Sequence, residues 1–408
     1  MSKSYLSCKL IVIVWSLFAF AQAFAEQGGN GFIDLHAGQA NRGYELTLIS
    51  VIEAIEQQDL ALGLQRVNDH LVDLPKSREG HLLRADILQA MSGELSGLGQ
   101  HELMVPEKRS NFKHQLKNRI KHRGEEARKA HSLTPSNLIE LGKHKHVMVA
   151  DMTNGRLYLY KNINGSPKLI RDYYLTIGAA GYGKEVEGDN RTPVGVYEIN
   201  RYIEGRALPD LYGKGAFPVN YPNRYDRSLK RTGYGIWLHG TPSSTYARSP
   251  WASEGCFVLS NDDLLDIGQY ISVAERTPVI LSDEIEWLDT AQFEERKNAY
   301  MAIIEQWKND WERLDVSAYL NHYSRENFNL GSGEFREWER RKRSVNKAKT
   351  FVQLDLDIQS LFIYPGSEDM FVVKYKQRYL SNNYSGKAEK EQYWQRNSDG
   401  QWKIIYEG

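Results

Sequence analysis

The sequence predicts a multidomain protein of mixed α and β structure: a helical N-terminal segment, a mostly-β middle domain and an α+β C-terminal domain. Three observations carry that prediction. Apolar residues recur at helical spacing between Tyr44 and Leu95, short β-type runs separated by glycines follow Lys143, and a helical stretch from Ala291 gives way to alternating strands. The chain has 408 residues, which exceeds one ordinary core, since domains usually run about 100 to 200 residues.

Taken in order, residues 1–25 place Lys3 and Lys9 before an apolar run from Leu10 to Phe20, then Ala23-Phe24-Ala25. That three-part pattern predicts a secretory signal peptide cleaved near Glu26, and the run is short of the roughly 20 apolar residues a membrane span needs. Export to the periplasm or cell envelope follows, with no stable membrane insertion after cleavage. The region 26–142 carries Leu48, Val51, Ile52 and Ile55, then Leu60, Leu64, Val67 and Leu71, then Leu82, Leu83, Ile87 and Leu88. These read as two or three amphipathic helices broken near Pro75. One such unit is too little for a repeat array and is expected to serve for docking, or for a homodimer through the N-terminal helices. Between Lys108 and Lys129, nine basic residues face only Glu125 and Glu126. Such a helix suits an anionic wall or membrane surface, but without a strong apolar face the solvated connecting helix is the favoured reading.

The middle domain, 143–284, is predicted from runs at Val147 to Ala150, Leu157 to Tyr160, Tyr173 to Ile177, Val194 to Ile199 and Gly235 to Leu238, with a hairpin turn at Asn154-Gly155. It closes near Leu281. The last domain, 291–408, begins with Phe293, Tyr300, Ile303, Ile304, Trp307, Trp311 and Leu314 on one helical face. Alternating strands around Val352 to Ile358 and Phe371 to Tyr379 follow, and the chain finishes on Trp402, Ile404 and Tyr406. With 52 basic and 52 acidic residues, no global field draws the protein to nucleic acid.

Cysteine usage narrows the chemistry. The only cysteines are Cys8, inside the expected signal, and Cys256, so cleavage leaves one unpaired thiol, either buried and inert or kept for its reactivity. Cys256 follows Gly255, and His239 stands 17 residues earlier at the end of the apolar run Ile236-Trp237-Leu238. A free thiol has a pKa near ~8.5, so acyl chemistry at neutral pH needs an adjacent base, and His239 is the candidate. Gly255 allows a tight turn that aims the Gly255 and Cys256 amides at an oxyanion. No Asp or Asn lies nearby in sequence to hold the second ring nitrogen of His239, which leaves the Gly240 carbonyl. By spacing alone a structural cysteine and a core histidine are the favoured reading of the pair, because both are common. A metal site is not expected, because no second cysteine completes a ligand set and His144 and His146 are spaced for opposite ends of a strand pair. No cofactor is implied. Ser253, Thr241 and Tyr234 are the candidates for substrate contact. For Ser253 a local turn contact weighs equally, and for Tyr234 and Trp237 strand periodicity favours packing.

The stretch His239-Gly240 followed by Ser253-Glu254-Gly255-Cys256 resembles the signature of the L,D-transpeptidase (YkuD-type) catalytic domain. So do Gly188-Asp189-Asn190-Arg191-Thr192-Pro193-Val194-Gly195-Val196-Tyr197, Phe217-Pro218-Val219-Asn220-Tyr221-Pro222-Asn223 and Arg231-Thr232-Gly233-Tyr234-Gly235, in the same order as in that family. The resemblance implies a cell-wall enzyme in which Cys256 attacks the carbonyl of the third residue, a diamino acid, in a peptidoglycan stem tetrapeptide. Terminal D-alanine leaves, and the thioester passes to an amine (L,D-transpeptidase) or to water (L,D-carboxypeptidase). Transpeptidase is the slightly preferred expectation, and a non-catalytic wall-binding protein is the remaining alternative. Many transpeptidases of the family carry Arg two positions after the cysteine, where this chain has Val258. The loss is shared with hydrolysing members, including L,D-carboxypeptidases that shape curved and helical cells. Residues 291–408 resemble the cone-like nuclear-transport-factor-like domain appended to such carboxypeptidases.

Overall fold

The computed structural model describes residues 42–93, 113, 115–119, 122, 127–328, 335–366 and 369–408. The expected signal segment with Cys8 lies outside them, as does most of the basic stretch 108–129. Among the described residues no helix is long and apolar enough to cross a membrane.

Three helices form the N-terminal unit: Arg42–Glu56, Leu60–Asp73 and Arg78–Ser92. Asp59 and Ser77 cap the second and third by accepting from the Leu62 and Gly80 amides, satisfying N–H groups that a helix start leaves open. Gly93 ends the third in the left-handed region, where a side chain would be strained. Leu48, Val51, Val67, Leu83 and Ile87 bury their side chains together, and Ala247 of the middle domain completes the cluster. The unit expected to dock or dimerise thus uses part of its apolar face on its own chain.

The middle domain is built on a five-stranded sheet in the order Ser166–Tyr174, Arg156–Ile163, His146–Asp151, Pro278–Ser282, Gly195–Glu198. The first three strands form a meander whose first turn holds Asn154 and Gly155, the latter at φ +64°. Met148, Ala150, Leu157 and Leu159 face one core with Leu238, Phe257 and Ile267. Val147, Val149, Tyr158 and Tyr160 face the opposite way, onto Phe362, Val372 and Tyr393 of the C-terminal sheet. Period-two alternation of a doubly buried strand accounts for both faces.

The C-terminal sheet runs Trp402–Glu407, Tyr384–Arg396, Met370–Ser381, Val352–Ile363 and finally Leu138–Glu140, all antiparallel. That last strand precedes the middle domain in sequence, in a region expected to be helical. It is only three residues long, too short for periodicity to reveal. The other face of this sheet packs on the long helix Thr290–Glu312 and on Tyr319, Tyr323 and Trp338. Gly195, in the Thr-Pro-Val-Gly segment, has no room for a Cβ beside Tyr364 Oη, and Gly366 has none beside Val194. The last domain therefore seats directly on the middle one.

Of the basic stretch, Lys113, Lys117 and Arg128 are described and exposed, as a solvated helix requires, whereas Arg119 is buried. Its guanidinium lies 3.8 Å from the Tyr174 ring centroid and 3.2 Å from a Glu45 oxygen. Glu45 also pairs with Arg156 at 2.8 Å, Arg156 pairs with Asp172, and His122 Nε2 stands 3.1 Å from Asp172. These charges link the N-terminal unit to the middle sheet.

Candidate active site

A second sheet, of four strands, positions the histidine and the cysteine. Trp237–His239 lies between Gly215–Pro218, antiparallel, and Phe257–Val258, parallel. Ile236 and Leu238 point into the core, so the alternate residues Trp237 and His239 face the other side. In the parallel register Leu238 pairs with Phe257 and His239 with Val258. Cys256, one residue before Phe257, therefore stands beside Trp237 on the face that carries His239.

His239 is buried, with Tyr212 edge-on at a centroid distance of 5.0 Å. Its Nδ1 is 2.7 Å from the Gly240 carbonyl oxygen. A carbonyl can only accept, so Nδ1 carries the proton and Nε2 is left with a lone pair. Burial pulls the imidazole pKa down to about 4, against the Gly240 bond and with the charge of Arg248 adding to the fall. The ring is neutral at neutral pH.

Cys256 is partly exposed, and its thiol donates to the Gly235 carbonyl at 3.3 Å. Burial pushes its pKa up to about 11; the Trp237 amide works against this, Glu254 with it, and the charges of Arg248 and Lys184 oppose it. The resting pair is thus thiol and imidazole. Gly255 holds φ +117°, and a Cβ there would stand 2.7 Å from the Arg191 carbonyl oxygen, so only glycine fits.

The remaining expected residues divide. Ser253 is buried, donates from Oγ to the Cys256 carbonyl at 2.5 Å and accepts from the Gly255 amide at 3.2 Å, so its hydroxyl closes the turn. The same bond occupies the Gly255 amide, expected as an oxyanion donor, because the turn at Gly255 directs it inward. Thr241 is likewise buried, its hydroxyl donating to the Thr245 carbonyl at 3.1 Å. Tyr234, expected to pack, is 79% exposed, because the strand begins only at Trp237. His144 and His146, expected at opposite ends of a strand pair, line one pocket of about 170 Å³ with Tyr270 and Glu275, and neither Cys256 nor His239 borders it.

Three residues at the site escaped the sequence reading. Tyr212 packs tilted against Trp237 and edge-on against His239, and its carbonyl accepts from the Gly240 amide at 3.2 Å. Asn261, at the start of the helix Asn261–Gly268, donates to the Thr241 carbonyl at 2.8 Å and accepts from the Lys214 amide at 2.9 Å. Its Oδ1 fills the space where side chains at Gly213 and Gly240 would go. Arg248 extends its charge to both His239 and Cys256. Tyr212 precedes the motif, Arg248 lies in its variable gap and Asn261 follows Cys256 by five positions, and no spacing rule marks any of them.

Residues 145–281 match the family described as L,D-transpeptidase catalytic domain, and residues 299–408 match the family described as Cds6 C-terminal NTF2-like domain. Among solved structures, Bd1075 of Bdellovibrio bacteriovorus is similar at 26% identity, with 68% of this chain and 97% of that one covered and a TM-score of 0.59. The helical cell shape determining protein Pgp2 of Campylobacter jejuni is similar at 26% identity, with 67% and 95% covered and a TM-score of 0.56. No curated protein sequence matches the chain.

Proposed function

We propose that this chain, which carries an L,D-transpeptidase catalytic domain followed by an NTF2-like domain, releases the terminal D-alanine of peptidoglycan stem tetrapeptides through a thioester on Cys256, and that water is its acceptor. The observation that carries the acyl-transfer reading is the Nδ1–H···O bond from His239 to Gly240, which leaves Nε2 as a base on the face that Cys256 shares. The reaction runs in two halves. Nε2 takes the Sγ proton as sulfur attacks the carbonyl of the third residue, and the Cys256 amide faces the developing oxyanion. As the tetrahedral species collapses, the imidazolium returns the proton to the leaving amine of D-alanine. Nε2 next takes a proton from water, whose oxygen attacks the thioester, and the thiol leaves reprotonated. The neutral resting pair suits this traffic, because neither group holds a charge between turnovers.

Transfer to an amine, the preference drawn from the sequence, shares every step up to the thioester. Two observations favour water. Val258 replaces the arginine found in many transpeptidases and is buried in its strand. The likeness to Pgp2, described as determining helical cell shape, extends over 95% of that chain. The same reading places the protein in the cell envelope after removal of residues 1–25.

Incubating the purified chain with tetrapeptide-bearing wall fragments, with and without an acceptor amine, tests the reading. Tripeptide and free D-alanine are expected under both conditions, and Cys256→Ala loses at least about 10³-fold in rate while keeping its fold. Cross-linked product with the amine would replace hydrolysis by transfer, and undiminished release by Cys256→Ala would remove Cys256 from the chemistry.

A further inference from the structure

The segment between His239 and Cys256 is held from outside the domain that contains both. Ala247 is buried among the N-terminal helices, the Tyr246 ring lies 5.8 Å from that of Tyr44, and Lys76 Nζ donates to the Ser243 carbonyl at 2.9 Å. From the middle sheet, Tyr174 Oη and Thr176 Oγ1 donate to the Arg248 carbonyl at 3.2 and 3.3 Å, and the Ile177 amide donates to the Pro250 carbonyl at 2.8 Å. The backbone of Arg248 is thus gripped on two sides.

Its side chain is not. Among the described residues no carboxylate lies within ion-pair distance of the Arg248 guanidinium and no acceptor within hydrogen-bond distance. Other arginines of this domain that are equally or more buried have partners: Arg156 with Glu45 and Asp172, Arg171 with Asp266, Arg231 with Asp226. Half-buried and without a counter-charge, Arg248 has its cationic form disfavoured by burial, the nearby Cys256 and Glu254 opposing that fall. A guanidinium left open within electrostatic reach of Cys256 is a fork for a planar anion, and it favours a carboxylate that accepts two parallel N–H bonds.

Resting on the hydrolytic reading above, we propose that Arg248 binds the terminal carboxylate of the leaving D-alanine, and that the N-terminal helices, through residues 243–248, set its position. This makes the enzyme selective for stems that end in a free carboxylate. It also gives the helical unit a role in substrate choice.

The test compares the full chain on two probes, the stem tetrapeptide with a free C-terminal carboxylate and the same peptide amidated there. The wild type is expected to act on the amide about 10- to 100-fold less efficiently, chiefly through KM, the range for losing a charged hydrogen-bonded contact. Arg248→Ala should lose a similar factor on the acid and almost none on the amide, and Arg248→Lys should recover part of the preference. Equal cleavage of acid and amide by the wild type overturns the inference without recourse to any variant. So does an Arg248→Ala protein of unchanged near-ultraviolet circular dichroism that loses the same factor on both peptides. Release from neither peptide by the wild type overturns the hydrolytic reading itself.

Discussion

Two regions bury ionisable groups against the same middle domain, and they do so in opposite ways. At the N-terminal junction Glu45 sits between Arg119 and Arg156, and Asp172 between Arg156 and His122. There burial would raise the Glu45 and Asp172 carboxyls, but the arginines outweigh it and hold both below the ordinary range. At the active site His239 and Cys256 meet mainly neutral partners, the Gly240 and Gly235 carbonyls and the Trp237 amide. Burial wins, and both groups are pushed to their uncharged forms. Opposed charges fix a junction, whereas buried groups without a strong counter-charge stay neutral.

Breaking the junction should give the largest effect. Arg156→Met leaves the half-buried carboxylates Glu45 to Arg119 and Asp172 to His122, and is expected to cost about 3 kcal/mol of stability, read as a lowered midpoint in urea unfolding. An unchanged midpoint would mean that the charges are solvated after all. The second expectation concerns acid. Because the His239 pKa lies near 4 instead of 6.5, kcat/KM should persist through pH 6 and fall only as Nε2 protonates toward about pH 4. The stability linked to this group has the same sign: it is present above the unfolded value and is lost as pH falls through the folded one. An acid limb centred at 6.5 would show that the ring is hydrated. Smallest is Asn261→Ala, which removes two hydrogen bonds that hold Thr241 and Lys214. It should lower kcat about 10-fold, equivalent to roughly 1 to 2 kcal/mol, with little change in KM.

Much of this plan was legible in the residues. The N-terminal helices followed from Leu48, Val51, Val67 and Leu83, and the middle strands from β-branched and aromatic runs. What the reading lost has physical causes. The strand Tyr384–Arg396 is mostly exposed over its first half, so no alternation marks it, and the helix Phe335–Lys347 carries so many charges that its buried Trp338 and Asn346 make no apolar stripe. At the site, the motif pointed to His239, Gly240 and Cys256 because they are close in sequence. Ser253 and Thr241 show the limit of that approach, since a hydroxyl beside a nucleophile is as useful for closing a turn as for touching a ligand. Tyr212, Arg248 and Asn261 reach the centre only through folding.

The short strand Leu138–Glu140 has a consequence for how the molecule can be cut. It hydrogen-bonds beside Val352–Ile363, and Asn137 exchanges two further bonds with Ile363, at 3.1 and 3.2 Å. The ribosome delivers this strand long before its neighbour, so the final sheet is finished by a piece of chain that has been waiting. A fragment starting at residue 291 would present a raw edge to other molecules, and one ending near residue 285 would leave that piece with nothing to join. The last domain is less a tail than the second half of a clasp.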